Sequence, residues 1–436
     1  MTEPSRAVRG SRLRELSRTL VLRELSDAGP QTQAGLVRAT GLSRATVASI
    51  IDELRADGRV DISTDAKPQG RGRPPALVHL ATDTHVVLGV DFGHAHLAVA
   101  VADLSGAILA ERHEPMDVHH AAAESLDRAA ALIAELVEEV AARGITDRPV
   151  MVGVGVPGPI EVAHPSGTGA PGGRVCAGTV LPSWAGYDPA AELAKRTGLA
   201  VLAENDANLG ALGEQRFGAG RGVENVVFVK VSSGIGTGLI LGGRLYRGSR
   251  GAAGEIGHVQ VREDGALCRC GSRGCLETVS SADAALALLA PAHGRTMRAS
   301  DLFELEAAGD PGVLRLLTDM GTAIGRVVAV IAANLDPNMV IVGGSMARAA
   351  LVESVAVAIT RFNQPYVAAD MHVAAAALGE RSSLMGAIAL AISAASGRPA
   401  IPGAPAAMPP AALPATIVPP AAGRATAPPA PVPAVG

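Results

Sequence analysis

At 436 residues the chain is long enough for about two to four domains and a large buried core. Its 48% apolar and 18% charged composition excludes a wholly disordered chain, and 2% aromatics leave Ala, Val, Leu and Ile to build the cores. The net charge of −4 excludes a uniformly basic nucleic-acid coat, yet residues 1–80 carry 13 Lys/Arg against 9 Asp/Glu while the remainder carries 25 against 33. A basic head on an acidic body points to a head that meets a polyanion.

The N-terminus, MTEPSRAVRGSRLRELSR, has no apolar h-region and so does not read as a secretory signal. The most apolar later stretch, Val327 to Val342, is broken by Asn334, Asp336 and Asn338 and falls short of a membrane span. The expectation is a soluble cytoplasmic protein with no membrane partner.

In residues 13–27, Leu13, Leu16, Leu20, Val21 and Leu25 recur at helical spacing. Gln33 to Ala39 then predicts a short helix, Thr40-Gly41-Leu42 a tight turn, and Ser43 the N-cap of a second helix. That helix buries Val47, Ile50, Ile51 and Leu54, with Gly58 as its C-cap. Helix, turn with Gly, helix is the helix-turn-helix plan. Ser43, Arg44, Thr46 and Ser49 are the positions that would reach base edges or phosphates in a major groove of double-stranded DNA. The segments RVDIST and ALVHL can pair as a hairpin wing with Arg71-Gly72-Arg73-Pro74 at its tip, and Arg71 and Arg73 suit the strongly negative minor groove. The alternative is a helical oligomerisation module with a solvated arginine face.

Residues 81–396 alternate short Val/Ile/Leu runs with Ala-rich helical stretches, the pattern of an α/β domain. Strands are expected at Val86–Asp91, Leu97–Ala102, Val150–Val156, Ala200–Ala203, Val226–Val231 and Met339–Val342. Helices are expected near 120–142, 188–197, 206–216, 281–290, 311–334 and 383–395. Two apolar runs end in small-residue clusters, at Asp91–Gly93 and Ser232–Gly238, which is compatible with two related lobes around a cleft. Residues 397–436 hold 12 prolines and almost no charge, and predict a disordered tail.

Cys268, Cys270 and Cys275 crowd into eight residues, with His258 ten residues earlier. Three thiolates and one imidazole make a closed Cys3His set, the donor chemistry of structural Zn2+. Gly271 and Gly274 permit the tight backbone this spacing demands. Cys176 stands apart and reads as an ordinary small buried residue.

The run Gly234–His258, GIGTGLILGGRLYRGSRGAAGEIGH, followed by CRCGSRGC, resembles the signature of the ROK family (repressors, open reading frames and sugar kinases). The resemblance spans about residues 13–396 and extends to the winged helix-turn-helix of the family's repressor branch, the xylose repressors in particular. It implies a winged helix-turn-helix plus an actin-like (sugar kinase, ribonuclease H-like) fold of two α/β lobes with a sugar in the cleft, assembled as a homodimer or homotetramer. By position it implies sugar contacts for Asn205, Asp206, Glu255, His258 and Glu277, with Asp206 the catalytic base of an active kinase. A proton-accepting carboxylate is what transfer of phosphate to a sugar hydroxyl requires, although Asp206 read alone would serve as a helix N-cap. His258 then has one ring nitrogen for zinc and one for a sugar hydroxyl.

Departures from the kinase pattern set the functional expectation. The family's Asp-x-Gly-Gly-Thr-Lys loop reads Asp91-Phe92-Gly93-His94-Ala95-His96 here, with bulk in place of a glycine and no Thr hydroxyl. Gly-Thr-Gly-Ile-Gly reads Ser232-Ser233-Gly234-Ile235-Gly236, Gly343-Gly344 is intact, and Asn-Leu-Pro-x-Trp begins with Val180. The nucleotide loops at Asp91, Gly93, Gly234, Gly236, Gly343 and Gly344 are therefore expected to be vestigial, and ATP is not expected as a cofactor. The leading expectation is a sugar-responsive DNA-binding regulator. The alternative is a sugar kinase that also carries a DNA-binding head, supported by Asp206 and Gly343-Gly344.

Overall fold

The computed structural model describes residues 14, 17–18, 20–22, 24–25, 28–56, 60–63, 76–80, 85–145, 149–161, 173–176 and 181–395. Gly58, Arg71, Arg73, Val180 and the proline-rich tail lie outside the described residues.

The head forms as its local signals dictate. Thr32 caps the helix Gln33–Thr40 by accepting from the Gly35 amide, and Gly41, with φ of 69°, ends it in the left-handed conformation. Ser43 then caps the helix Arg44–Ala56 by accepting from the Thr46 amide at 3.1 Å. Val21, Leu22, Leu25, Leu36, Val47, Ile50, Ile51 and Leu54 share one core. Leu22 packs in this core, whereas Leu20, expected there, is 41% exposed. Leu13 and Leu16 fall outside the described residues. The wing strands Val60–Ser63 and Leu77–Leu80 pair antiparallel as expected, and Gln31–Thr32 adds a third strand that periodicity could not reveal in two residues.

The body holds two five-stranded sheets of identical plan. The upper sheet runs, side by side, Ile108–Pro115, His96–Asp103, Val86–Phe92, Pro149–Val156 and Val201–Asn205. The lower runs Arg244–Tyr246, Ile235–Leu241, Val226–Val231, Met339–Gly343 and His372–Ala375. In each, three strands form an antiparallel meander and two more join in parallel. The two small-residue clusters noted in the sequence are thus the first hairpin turns of two equivalent lobes.

Helix Asp206–Phe217 packs on the lower meander and helix Ser382–Ala395 on the upper sheet, and the two pack on each other. They cross closely because a Cβ on Gly386 would stand 1.8 Å from the Leu209 carbonyl oxygen, and one on Gly213 would stand 2.3 Å from that of Ser382. Buried Glu214 secures the same junction, accepting from the amides of Ala219, Ala377 and Leu378 and from the Ser382 hydroxyl. The long apolar helix Pro311–Leu335 has the length and composition of a membrane span. Its stripe of Val313, Leu317, Met320, Ile324 and Val328 lies in the lower core, and Asp336, at φ of 47°, ends it before the strand Met339–Gly343.

Candidate functional site

A cavity of 370 Å³ opens between the lobes. Both hairpin turns line it, and so do Asn205 and Asp206 at the start of their helix, Glu255, His258 and Glu277. Of the expected loop residues, Asp91, Gly93, Gly234, Gly236 and Gly344 line the wall. Gly343 instead faces the ring of Phe228, where a Cβ would come within 2.7 Å.

Asn205, not Asp206, is the helix N-cap. Its Oδ1 accepts from the amides of Ala207 and Asn208, and its Nδ2 donates to the Gly158 carbonyl at 3.2 Å. That frees the Asp206 carboxylate, which meets the Lys230 ammonium at 2.8 Å. Lys230 also donates to the Ser383 hydroxyl at 3.2 Å. Burial pushes the Asp206 carboxyl up, with nearby Asp91 adding to the effect and Lys230 opposing it. For Asp91, burial acts upward too, but Lys230 and the His96 ring, 3.3 Å away, outweigh it and hold the group below its usual range.

Glu277 is buried and doubly held: Oε1 accepts from Arg269 Nε at 2.8 Å and Oε2 from the Ile235 amide at 3.1 Å. A Cβ on Gly234 would lie 2.6 Å from Oε2, so the glycine there gives the carboxylate room. Glu255 is held by little besides His258, whose Nε2 is 3.8 Å away. Burial, with Asp206 and Glu277 near, pushes Glu255 up to about 7. His94 fills the place of the missing glycine. Burial, with Arg269 and Lys230 close by, pushes it down to about 3, so it stands in the cleft as a neutral ring.

Beside this wall the ligand atoms of His258, Cys268, Cys270 and Cys275 all lie within 4.8 Å of one another. His258 Nδ1 is 3.5 Å from Cys268 Sγ, and Cys270 and Cys275 Sγ are 3.7 Å apart. A tetrahedron with Zn–S bonds of about 2.3 Å has edges of about 3.8 Å, so the four donors fit that ion. The imidazole turns Nδ1 to Cys268 and Nε2 toward Glu255 on the cavity wall. Arg269, between two of the thiols, reaches Glu277 and the Ser233 carbonyl and so couples the knot to the cleft. Cys176, expected to be buried, is exposed.

In the head, Ser43 and Arg44 are exposed at the helix start and Thr46 is half-buried. The Ser49 hydroxyl is already partnered, taking a hydrogen bond from Arg14 at 2.7 Å. Lys230 and Arg269 were missed in the sequence. Lys230 is a lone charge inside the apolar run VVFVKV, one residue before the glycine-rich turn, and that contrast was the available signal.

The ROK family model matches residues 87–394. The chain belongs to the ROK family. A MarR family model matches residues 15–72, the head, so a winged helix-turn-helix precedes a ROK body of the actin-like sugar-kinase fold. The xylose repressor of Bacillus spizizenii is 27% identical over 336 residues, 77% of this chain and 83% of that one. The glucokinase of Thermotoga maritima is 31% identical over 320 residues, 70% and 96% of the two chains. The crystal structure of a ROK family transcriptional regulator, a homolog of E. coli MLC, shares the fold with a TM-score of 0.73 at 24% identity, covering 89% of this chain and 97% of that one. ROK proteins thus include regulators with the same two-part plan and kinases that match the body alone.

Proposed function

We propose that this ROK protein is a sugar-responsive, DNA-binding transcriptional regulator of carbohydrate genes, a repressor working in the cytoplasm as a homodimer or homotetramer. Residues 1–80 form the DNA-binding head, 81–396 the effector body, and 397–436 a Pro/Ala-rich tail. One juxtaposition carries the reading: a capped helix with Ser43 and Arg44 in solvent belongs to the same chain as a sugar-sized cavity walled by carboxylates. The xylose repressor among the relatives supports the same assignment.

Asp206, Glu255 and Glu277 would accept sugar hydroxyls, and His258 Nε2 would donate to or accept from one. His258 Nδ1 and the three thiolates would hold Zn2+. When bound, that ion ties the wall carrying His258 to the segment that positions Glu277. The lobes meet at the cavity, so a sugar that binds one closure state better than the other shifts the lobe equilibrium. In a dimer this changes the separation of two recognition helices that must sit about 34–36 Å apart along the duplex. Ser43, Arg44 and Thr46 would make the groove contacts. Ser49, engaged by Arg14, would take part only by exchanging that partner.

The wing supplies a check. Changing Arg71 and Arg73 together to alanine is expected to weaken DNA binding by about tenfold or more and to reduce the slope of log K against log salt by about 2. Filter-binding titrations between low and moderate salt measure it, and an unchanged slope contradicts the wing assignment.

The kinase reading is supported by the Asp206 carboxylate and Gly344 in the cavity wall and by the glucokinase among the relatives. A coupled ADP-release assay over hexoses, pentoses and amino sugars decides between the two. The regulator reading expects no ADP release that depends on Asp206. Turnover abolished by Asp206→Asn reverses the ranking.

A further inference from the structure

We propose that the Lys230 ammonium is a cation built into the cleft, paired with Asp206 where a phosphoryl-transfer site would need a divalent metal and fitting the cleft to an uncharged sugar. The clause about sugar rests on the function proposed above; the clause about the cation does not.

The cavity wall carries six carboxylates, Asp91, Glu111, Asp206, Glu255, Glu277 and Glu380, against two fixed cations, Lys230 and Arg381. Both cations are already engaged: Lys230 with Asp206 at 2.8 Å, and Arg381 with Glu111. A metal–nucleotide or sugar phosphate would bring more negative charge to a wall with no disengaged positive group among its described residues. Phosphoryl transfer needs metal ions to bridge the phosphate oxygens and a carboxylate ready to take the hydroxyl proton. Here the ammonium meets the carboxylate that would take the proton.

Asp91 and Asp206 are 1% and 8% exposed. Two carboxylates buried so deeply on one cavity need a counter-ion, and ammonium and divalent metal compete for that role. Lys230 stays charged because Asp206 and Asp91 more than offset its burial. Its position is fixed by the strand Val226–Val231, which carries it from the lower lobe, and by the Ser383 hydroxyl, which also donates to the Asp206 carbonyl at 2.9 Å. Oδ1 of Asp91 is buried without a hydrogen-bond partner, so a small cation replacing the ammonium would find an acceptor there.

The test is a Mn2+ titration of the intact, zinc-loaded protein followed by electron paramagnetic resonance, which a merely structural ion pair would not affect. Wild type is expected to show no bound Mn2+ that Asp206→Asn removes. Lys230→Met, close in shape but uncharged, is expected to acquire one such site and to lose it again on adding Asp206→Asn. In parallel, D-glucose, D-xylose and N-acetylglucosamine are titrated beside glucose 6-phosphate and MgATP. At least one uncharged sugar is expected to bind wild type with the same affinity with and without Mg2+, and neither phosphate compound is expected to bind. Lys230→Met is expected to bind that sugar about tenfold more weakly, with Mg2+ restoring most of the loss. The proposal is overturned by a wild-type Mn2+ site that depends on Asp206, by a folded Lys230→Met that gains none, or by glucose 6-phosphate binding more tightly than glucose. If Lys230→Met does not fold, the wild-type Mn2+ and phosphate titrations still decide. If no sugar binds at all, the functional reading fails while the Mn2+ result stands by itself.

Discussion

Cys275→Ser is expected to lower the midpoint of thermal unfolding by about 5 °C and to abolish the zinc binding proposed for the knot. The Cys275 side chain is fully buried, and its sulfur sits 3.7 Å from that of Cys270. Serine shortens the reach and replaces a thiolate with a hydroxyl that stays protonated, so the donor set drops to three. Metal binding to such a set is folding free energy, and a loss of about 3–4 kcal/mol moves the midpoint of a domain this large by about 5 °C. The knot also holds Arg269, which secures Glu277 and the Ser233 carbonyl, so sugar response falls together with stability. Calorimetry with metal analysis checks this, and Cys176→Ser, at an exposed position outside the knot, is the control. A variant that keeps its midpoint after losing its metal would show that the knot does not stabilise the fold.

At about pH 8 or above, Glu255, with its value raised to about 7, is mostly ionised. There Glu255→Gln is expected to cut sugar affinity by about 10- to 100-fold while leaving thermal stability within about 1 kcal/mol, because a hydrogen bond to a charged acceptor contributes about 1.5–3 kcal/mol. The neighbouring carboxylates do not allow so clean a test. Removing Glu277 strips Arg269 and the Ile235 amide of a partner, and removing Asp206 leaves Lys230 buried with its nearest counter-charge gone. Glu255, by contrast, has among the described residues only the distant His258 Nε2 to lose. Isothermal titration with the sugar that wild type binds gives the affinity. Equal affinity in the variant and wild type would remove Glu255 from the ligand set, and a collapse in stability would recast it as structural.

Much of this was legible in the residues, and the failures have physical causes. The head could be read because its turn and cap are local: Gly41 and Ser43 act within four residues of their own positions. The knot could be read because Cys268, Cys270 and Cys275 are close in sequence. The strands Ile108–Pro115 and His372–Ala375 were missed, because edge position leaves them half-exposed and blurs the apolar alternation. Ile235–Leu241 was missed for the opposite reason, since its glycines read as loop until the close packing of Ala207 under Gly238 is seen. The N-cap was read at Asp206, yet only the three-dimensional structure shows that Asn205 caps the helix, with one Nδ2 hydrogen left toward the cavity it lines. Lys230 escaped notice because its partners Asp206 and Ser383 are 24 and 153 residues away, beyond any local pattern.

The central claim, that one chain couples a sugar cleft to a DNA-binding head, is tested most directly on DNA. Sheared genomic DNA is incubated with the purified protein with and without a panel of unphosphorylated sugars, and the bound fragments are sequenced. The account predicts enrichment of a palindromic site, a change in its occupancy with one of the sugars, and loss of that change in Glu255→Gln. Enrichment that no sugar alters would contradict the coupling, and no enrichment from a folded, zinc-containing protein would contradict the role assigned to the head.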